Sequence, residues 1–141
     1  MNEILFASKE QREFFGEMLE KSKSLDCYHQ SFFYCMGICE DTRRNINRLF
    51  DFVYDQIRPE GLRDSWQTSG SVRVTRLAFN LWNGYIEKGK SRMFTPYELF
   101  DCGYAPYFYE AIRLRYPEYC RKNEERFSCN MRTKGINSME R

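Results

Sequence analysis

Apolar residues recur at helical spacing through most of the chain, while the strict alternation that marks strands is weak. Ser8 with Gln11 three positions on reads as a capping box ahead of Phe14, Phe15, Met18 and Leu19, predicting a helix over residues 9–22. A shorter helix over residues 28–36 carries Phe32, Phe33 and Met36 and stops at Gly37. From Asp41 as N-cap, the residues Ile46, Leu49, Phe50, Val53, Tyr54 and Ile57 form an unbroken amphipathic stripe, so the pattern predicts a long helix ended by Pro59 and Gly61. Val74, Leu77, Ala78, Leu81, Trp82 and Tyr85 repeat the motif, with Ser69-Gly70-Ser71 before them and Gly84 and Gly89 after. These two helices are expected to face each other.

Thr95-Pro96-Tyr97-Glu98 joins an N-cap hydroxyl, a proline at the first helical position and a capping-box glutamate. Gly103 interrupts that short helix. Pro106 restarts one through Phe108, Ala111, Ile112 and Arg115 as far as Pro117. Met1 to Phe6 is too short to support a sheet. The expected fold is all-α: a compact bundle of five or six short helices with Ile46, Leu49, Phe50, Val53, Leu77, Ala78, Leu81 and Trp82 at its centre. Residues 1–117 form the helical domain, and the charged residues 118–141 form a polar C-terminal extension.

Length agrees with one domain, since domains typically run about 100–200 residues and the chain has 141. Aromatics make up 17%, with 12 Phe and 10 Tyr. That is more than a small core absorbs, and buried tyrosine needs a hydroxyl partner, so the surplus favours a binding surface. A net charge of +2 is too small for a generic polyanion binder. The first 40 residues are acidic, whereas residues 41–76 carry seven arginines and no lysine. Arginine suits planar contact with phosphate or carboxylate, but Asp41, Asp51, Asp55, Glu60 and Asp64 are interleaved closely enough to pair with most of the seven.

The start of the chain lacks a secretory leader pattern, and no stretch reaches the roughly 20 apolar residues of a membrane span, so a cytoplasmic protein is expected. The six cysteines then read as free thiols. Cys35 and Cys39 are four apart and lack the pair spacing of structural zinc sites, so neither metal nor cofactor is expected. His29, the single histidine, stands two residues from Cys27 without forming a recognisable catalytic dyad. No Walker-type phosphate loop is present.

The segment from Pro59 to Tyr85 contains Pro59-Glu60-Gly61-Leu62, Trp66, Thr68-Ser69-Gly70-Ser71, the run from Thr75 to Leu81, Asn83 and Gly84. In these residues the chain resembles a family of small proteins from Gram-positive bacteria and their mobile elements, to which no activity is attached. The resemblance extends loosely into residues 51–57 and 94–100 but not past Tyr116. It implies a mobile-element setting, where inhibitors of host defence and small regulators are common products. Physically, Trp66 through Ser71 is a polar loop ending at a helix start, which can either cap that helix or hold an anion. Trp66, Ser69, Ser71, Arg73 and Arg76 are the candidate partner-binding residues, with Arg73 and Arg76 expected on the exposed side of their helix. The expected function is non-enzymatic binding to a larger protein or nucleoprotein target, such as inhibition of a CRISPR-type defence complex. The alternative is a small helical nucleic-acid-binding regulator.

Overall fold

Residues 27–36 contain no acidic residue, lysine or arginine, and the run Phe32-Phe33-Tyr34-Cys35-Met36 places apolar side chains on every side of a helix, so that part must be covered all round. A computed structural model describing residues 3–120 shows how this is done. Helix α1 (Lys9–Ser22) and helix α2 (Cys27–Met36) lie against each other, and helix α5 (Ser69–Asn83) and helix α7 (Ala105–Arg115) cover the rest of α2. Phe32, Phe33, Tyr34, Cys35 and Met36 are completely buried. Between α2 and α5 run helix α3 (Glu40–Arg44), helix α4 (Ile46–Leu49), strands β1 (Phe50–Asp51) and β2 (Gln56–Ile57), and a 3-10 turn (Pro59–Arg63). A second 3-10 turn (Ser91–Phe94) and helix α6 (Pro96–Leu99) precede α7. The described residues are thus predominantly helical, as expected, with one antiparallel hairpin.

Local chemistry explains the ends. Ser8 Oγ accepts the Gln11 N–H at 3.0 Å, but the Gln11 side chain accepts from Ala7 N–H rather than from the cap residue, and its amide donates to the Tyr34 carbonyl at 2.8 Å. The second half of the capping box has become a tie between α1 and α2. Gly37 lets the chains approach there: a Cβ would stand 3.0 Å from Gln11 Cγ and 3.1 Å from Phe14. Thr68 caps α5 with a complete box, Thr68 Oγ1 accepting from Ser71 N–H at 3.0 Å and Ser71 Oγ accepting from Thr68 N–H at 2.7 Å.

The long helix expected over residues 41–57 does not form. The Asn45 amide bonds back to the Asp41 carbonyl at 2.8 Å and its backbone leaves the helical region, so α3 stops there and α4 lasts one turn. Phe50 is extended (φ −144°, ψ 135°) and pairs with Ile57, while Asp51 pairs with Gln56. Phe50, Phe52, Val53 and Tyr54 are strand formers, and Asp51 Oδ1 accepts the Val53 and Tyr54 N–H groups at 2.9 and 3.0 Å, closing the turn. Ile46, Leu49, Phe50 and Ile57 still reach the core, but Val53 is 86% exposed and leaves it. Trp82 is only partly buried against it. The 3-10 turn then packs so tightly on α4 that a Cβ on Gly61 would lie 2.4 Å from the Arg48 carbonyl oxygen. Helix α5 therefore faces α2, not a long helix from the preceding segment.

Leu81 is buried in the contact of α5 with the core and Val53 is on the hairpin tip. Leu81→Ala is expected to destabilise by about 2–5 kcal/mol, the usual loss for a buried leucine, whereas Val53→Ala should stay within about 0.5 kcal/mol of wild type. Urea denaturation midpoints check both.

Candidate functional site

The start of α5 faces the 3-10 turn Ser91–Phe94 and α6 across a cleft of about 180 Å³ lined by Ser69, Val72, Arg73, Arg76, Met93 and Glu98. Three of the five residues expected to bind a partner are brought together here. Arg73 Nε donates to the Glu98 carbonyl at 3.0 Å and its Nη1 to the Ser69 carbonyl at 3.4 Å, so the guanidinium is held across the cleft by both walls. Arg73 is half-buried and Arg76 is 9% exposed, which corrects the outward placement expected of both. The physical reason is that residues 85–99 fold back over that side of α5: Glu87 Oε1 lies 3.8 Å from Arg76 Nη2, and the guanidinium carbon lies 5.8 Å from the centre of the Phe94 ring. Its Nε is buried with no hydrogen-bond partner. Glu98 pairs with Arg92 at 3.2 Å on the rim.

The other two candidates are structural. Ser71 is 1% exposed and is consumed by the cap, its hydroxyl also donating to Gln67 Oε1 at 2.6 Å. Trp66 is half-buried against the core and donates from Nε1 to Asp64 Oδ2 at 2.9 Å, outside the lining of the cleft. Asp64 also receives two bonds from Arg48 at 2.8 and 2.9 Å, and that contact, with Trp66 assisting, holds its carboxyl below the usual carboxylate range. The remaining arginines of the basic set each have an internal partner: Arg43 donates to the Gly37 carbonyl at 2.7 Å, Arg44 pairs with Glu40 at 3.3 Å, Arg58 with Asp51 at 3.5 Å although its buried Nε, like that of Arg76, has no hydrogen-bond partner, and Arg63 with Glu87 at 3.8 Å. Internal pairing accounts for the arginine enrichment.

Sequence reading missed the opposite wall, because Glu98 had already been explained as a capping residue. It also missed the environment of His29, whose ring bonds Asp26 Oδ1 and Asp55 Oδ1, both at 2.8 Å. Asp26 three residues before His29 was a legible signal, whereas Asp55 was hidden by the expected helix. Cys27 instead contacts Arg115 Nη1 at 3.8 Å. The five described cysteines are free thiols, and burial pushes Cys35 well above the ordinary thiol range. Cys129 lies outside the described residues. Among the described residues, no three histidine, cysteine or acidic side chains converge as a metal site, and no helix is long and apolar enough to cross a membrane.

With the cleft defined, comparison with known proteins places the chain. A family model matches residues 1–128. The chain belongs to DUF6075, a family of unknown function. The match runs past Tyr116, further than the sequence resemblance, and so takes in all of α7 and the segment after it. No curated protein and no solved structure matches the chain. The DUF6075 description brings no activity, so the chemistry of the cleft must speak for itself. Two guanidinium groups on one helix, partly satisfied and walled by Val72 and Met93, suit a single planar acceptor such as a carboxylate or one face of a phosphate.

Because Arg76 is packed and Arg73 is tethered at the rim, the two should separate in a stability measurement. Arg76→Ala is expected to lower stability by about 1–2 kcal/mol through lost packing and the lost cation–aromatic contact. Arg73→Ala should cost less, about 1 kcal/mol, since of its two bonds one is part-buried and the other exposed. Thermal melts of the two variants provide the check.

Proposed function

We propose that this DUF6075 protein is a non-enzymatic binding protein of the cytoplasm that engages a larger protein target. The α5 cleft would receive one acidic side chain of that target. The observation that carries this reading is the pairing of Arg73, tethered by carbonyls across the mouth, with the buried, unbonded Nε of Arg76 behind it. A desolvated donor without an acceptor is costly, and a carboxylate that enters as the covering segment of residues 85–99 shifts would supply the acceptor. The non-enzymatic reading is supported by His29, both of whose ring nitrogens are already bonded to carboxylates, and by the raised thiol of Cys35. Inhibition of a CRISPR-type host defence complex is one form that such binding would take, and it rests on the mobile-element resemblance alone.

The alternative is a nucleic-acid-binding regulator in which the cleft takes a backbone phosphate. The two readings differ in salt dependence, because phosphate contacts release counterions. Fluorescence polarisation against labelled duplex and single-stranded DNA over a salt series should show no tight, steeply salt-dependent complex. Photo-crosslinking from Ser69 in the native host should trap a protein. Arg73→Ala should lose that partner by about 2 kcal/mol or more of affinity, the usual loss at an arginine hot spot, while its melting temperature stays near wild type. Wild-type binding by a folded Arg73→Ala protein would remove the cleft from consideration. Tight salt-sensitive DNA binding would establish the regulator instead.

A further inference from the structure

His29 is 5% exposed and sits in the first turn of α2, where it joins two loops that are distant in sequence. Its Nδ1 lies 2.8 Å from Oδ1 of Asp26, the N-cap of α2, and its Nε2 lies 2.8 Å from Oδ1 of Asp55 in the hairpin turn. Both ring nitrogens face carboxylate oxygens. A neutral imidazole has one N–H and cannot donate to both, whereas the imidazolium can. The rest of the ring environment contributes no competing charge at this distance: the Trp82 ring of α5 meets it edge-on with centroids 4.8 Å apart, and Phe33 lies 6.2 Å away. Cations on the surrounding elements are engaged with aromatic rings, Lys21 of α1 over Phe52 and Arg115 of α7 over Tyr28.

The two arms are not equivalent. Asp26 also accepts the His29 backbone N–H at 2.9 Å and the Ser24 hydroxyl at 3.2 Å, so it is fixed as a helix cap whatever the ring does. Asp55 stands at φ +57°, a left-handed conformation that favours glycine and asparagine, and its side chain reaches the ring from the hairpin turn. We propose that Asp26, His29 and Asp55 form a proton-operated latch: the imidazolium pins the hairpin turn to α2, and loss of its proton releases the Asp55 arm. The element released carries Val53 and Tyr54, which are 86% and 74% exposed, so the latch controls how a prominent apolar tip is presented. Phe52, stacked on Phe33 with centroids 5.7 Å apart, and the Asp51–Arg58 pair retain the base of the hairpin, confining the change to its turn.

Electrostatics point the same way. Burial disfavours a charged ring, but the bonds to Asp55 and Asp26 outweigh it, so His29 titrates above the ordinary histidine range. The stabilisation from the latch is therefore complete below the titration of the unfolded histidine and is lost as pH rises through the higher native value. Burial also works against ionisation of Asp26, yet its bonds from His29 hold that carboxyl below the usual range, leaving it an acceptor.

Because the chain has a single histidine, NMR of the imidazole C–H signals in the full-length protein reads the latch without ambiguity. The expected result is a midpoint above that of the urea-unfolded chain, with the backbone amides of Val53, Tyr54 and Asp55 shifting at the same midpoint. Asp55→Asn, which suits the left-handed backbone, should leave the fold intact, lower the His29 midpoint and uncouple the turn from it. A native midpoint at or below the unfolded one, turn amides that do not follow the ring, or an Asp55→Asn midpoint equal to wild type would each overturn the proposal.

Discussion

The architecture follows from one constraint: beyond its first turn, α2 is buried on every side, residues 31–36 all lying inside. Its ten residues contain Phe32, Phe33, Tyr34, Cys35 and Met36 in succession, all buried, so a helix packed on one side alone would strand the others in solvent. Helices α1, α5 and α7 supply the cover from widely separated parts of the chain. The aromatic excess is spent mainly here. Phe32 lies within 5.0 Å of Phe50 and 5.5 Å of Trp82, centroid to centroid, and Phe33 within 5.3 Å of Phe50, so rings from α2, α5 and the hairpin interlock.

That dependence explains what could and could not be read from the chain. Helix α1 and the restart at Pro106 were legible because caps, proline and an amphipathic stripe agreed locally. The segment over residues 41–57 was not, because Ile46, Leu49, Phe50 and Ile57 satisfy a helical period and a hairpin register equally well, and burial of Phe50 beside Phe33 decided between them. Expecting a long helix there also concealed that α5 packs on α2. The cleft was half legible: Ser69 and Arg73 line it, as α5 periodicity suggested, but Arg76 is buried because residues 85–99 fold back over that side of α5 and set Glu87 and Phe94 beside its guanidinium, a long-range contact that the stripe could not reveal.

Arginine in this protein is mostly an internal fastener. Arg48 with Asp64, Arg113 with Glu110 and Arg73 with the Glu98 carbonyl each join an arginine to an acceptor within the fold, two of them through paired N–H bonds. A basic stretch defined by counting residues therefore overstates the charge offered to a partner. Buried guanidinium nitrogens without a hydrogen-bond partner occur at Arg58 as well as Arg76; what marks the α5 cleft is that Arg76 shares its lining with a second arginine, Arg73.

The placement of α7 has a consequence for synthesis. Helix α2 ends at Met36, yet one of its three covering helices spans Ala105–Arg115. During translation the nascent chain therefore carries an apolar helix whose last wall has not left the ribosome, through most of the time needed to make the domain. Completion of the core therefore waits for the C-terminal third, and a chain truncated before α7 would leave the ribosome with that side of α2 uncovered, an apolar surface of the kind that chaperones and proteases recognise.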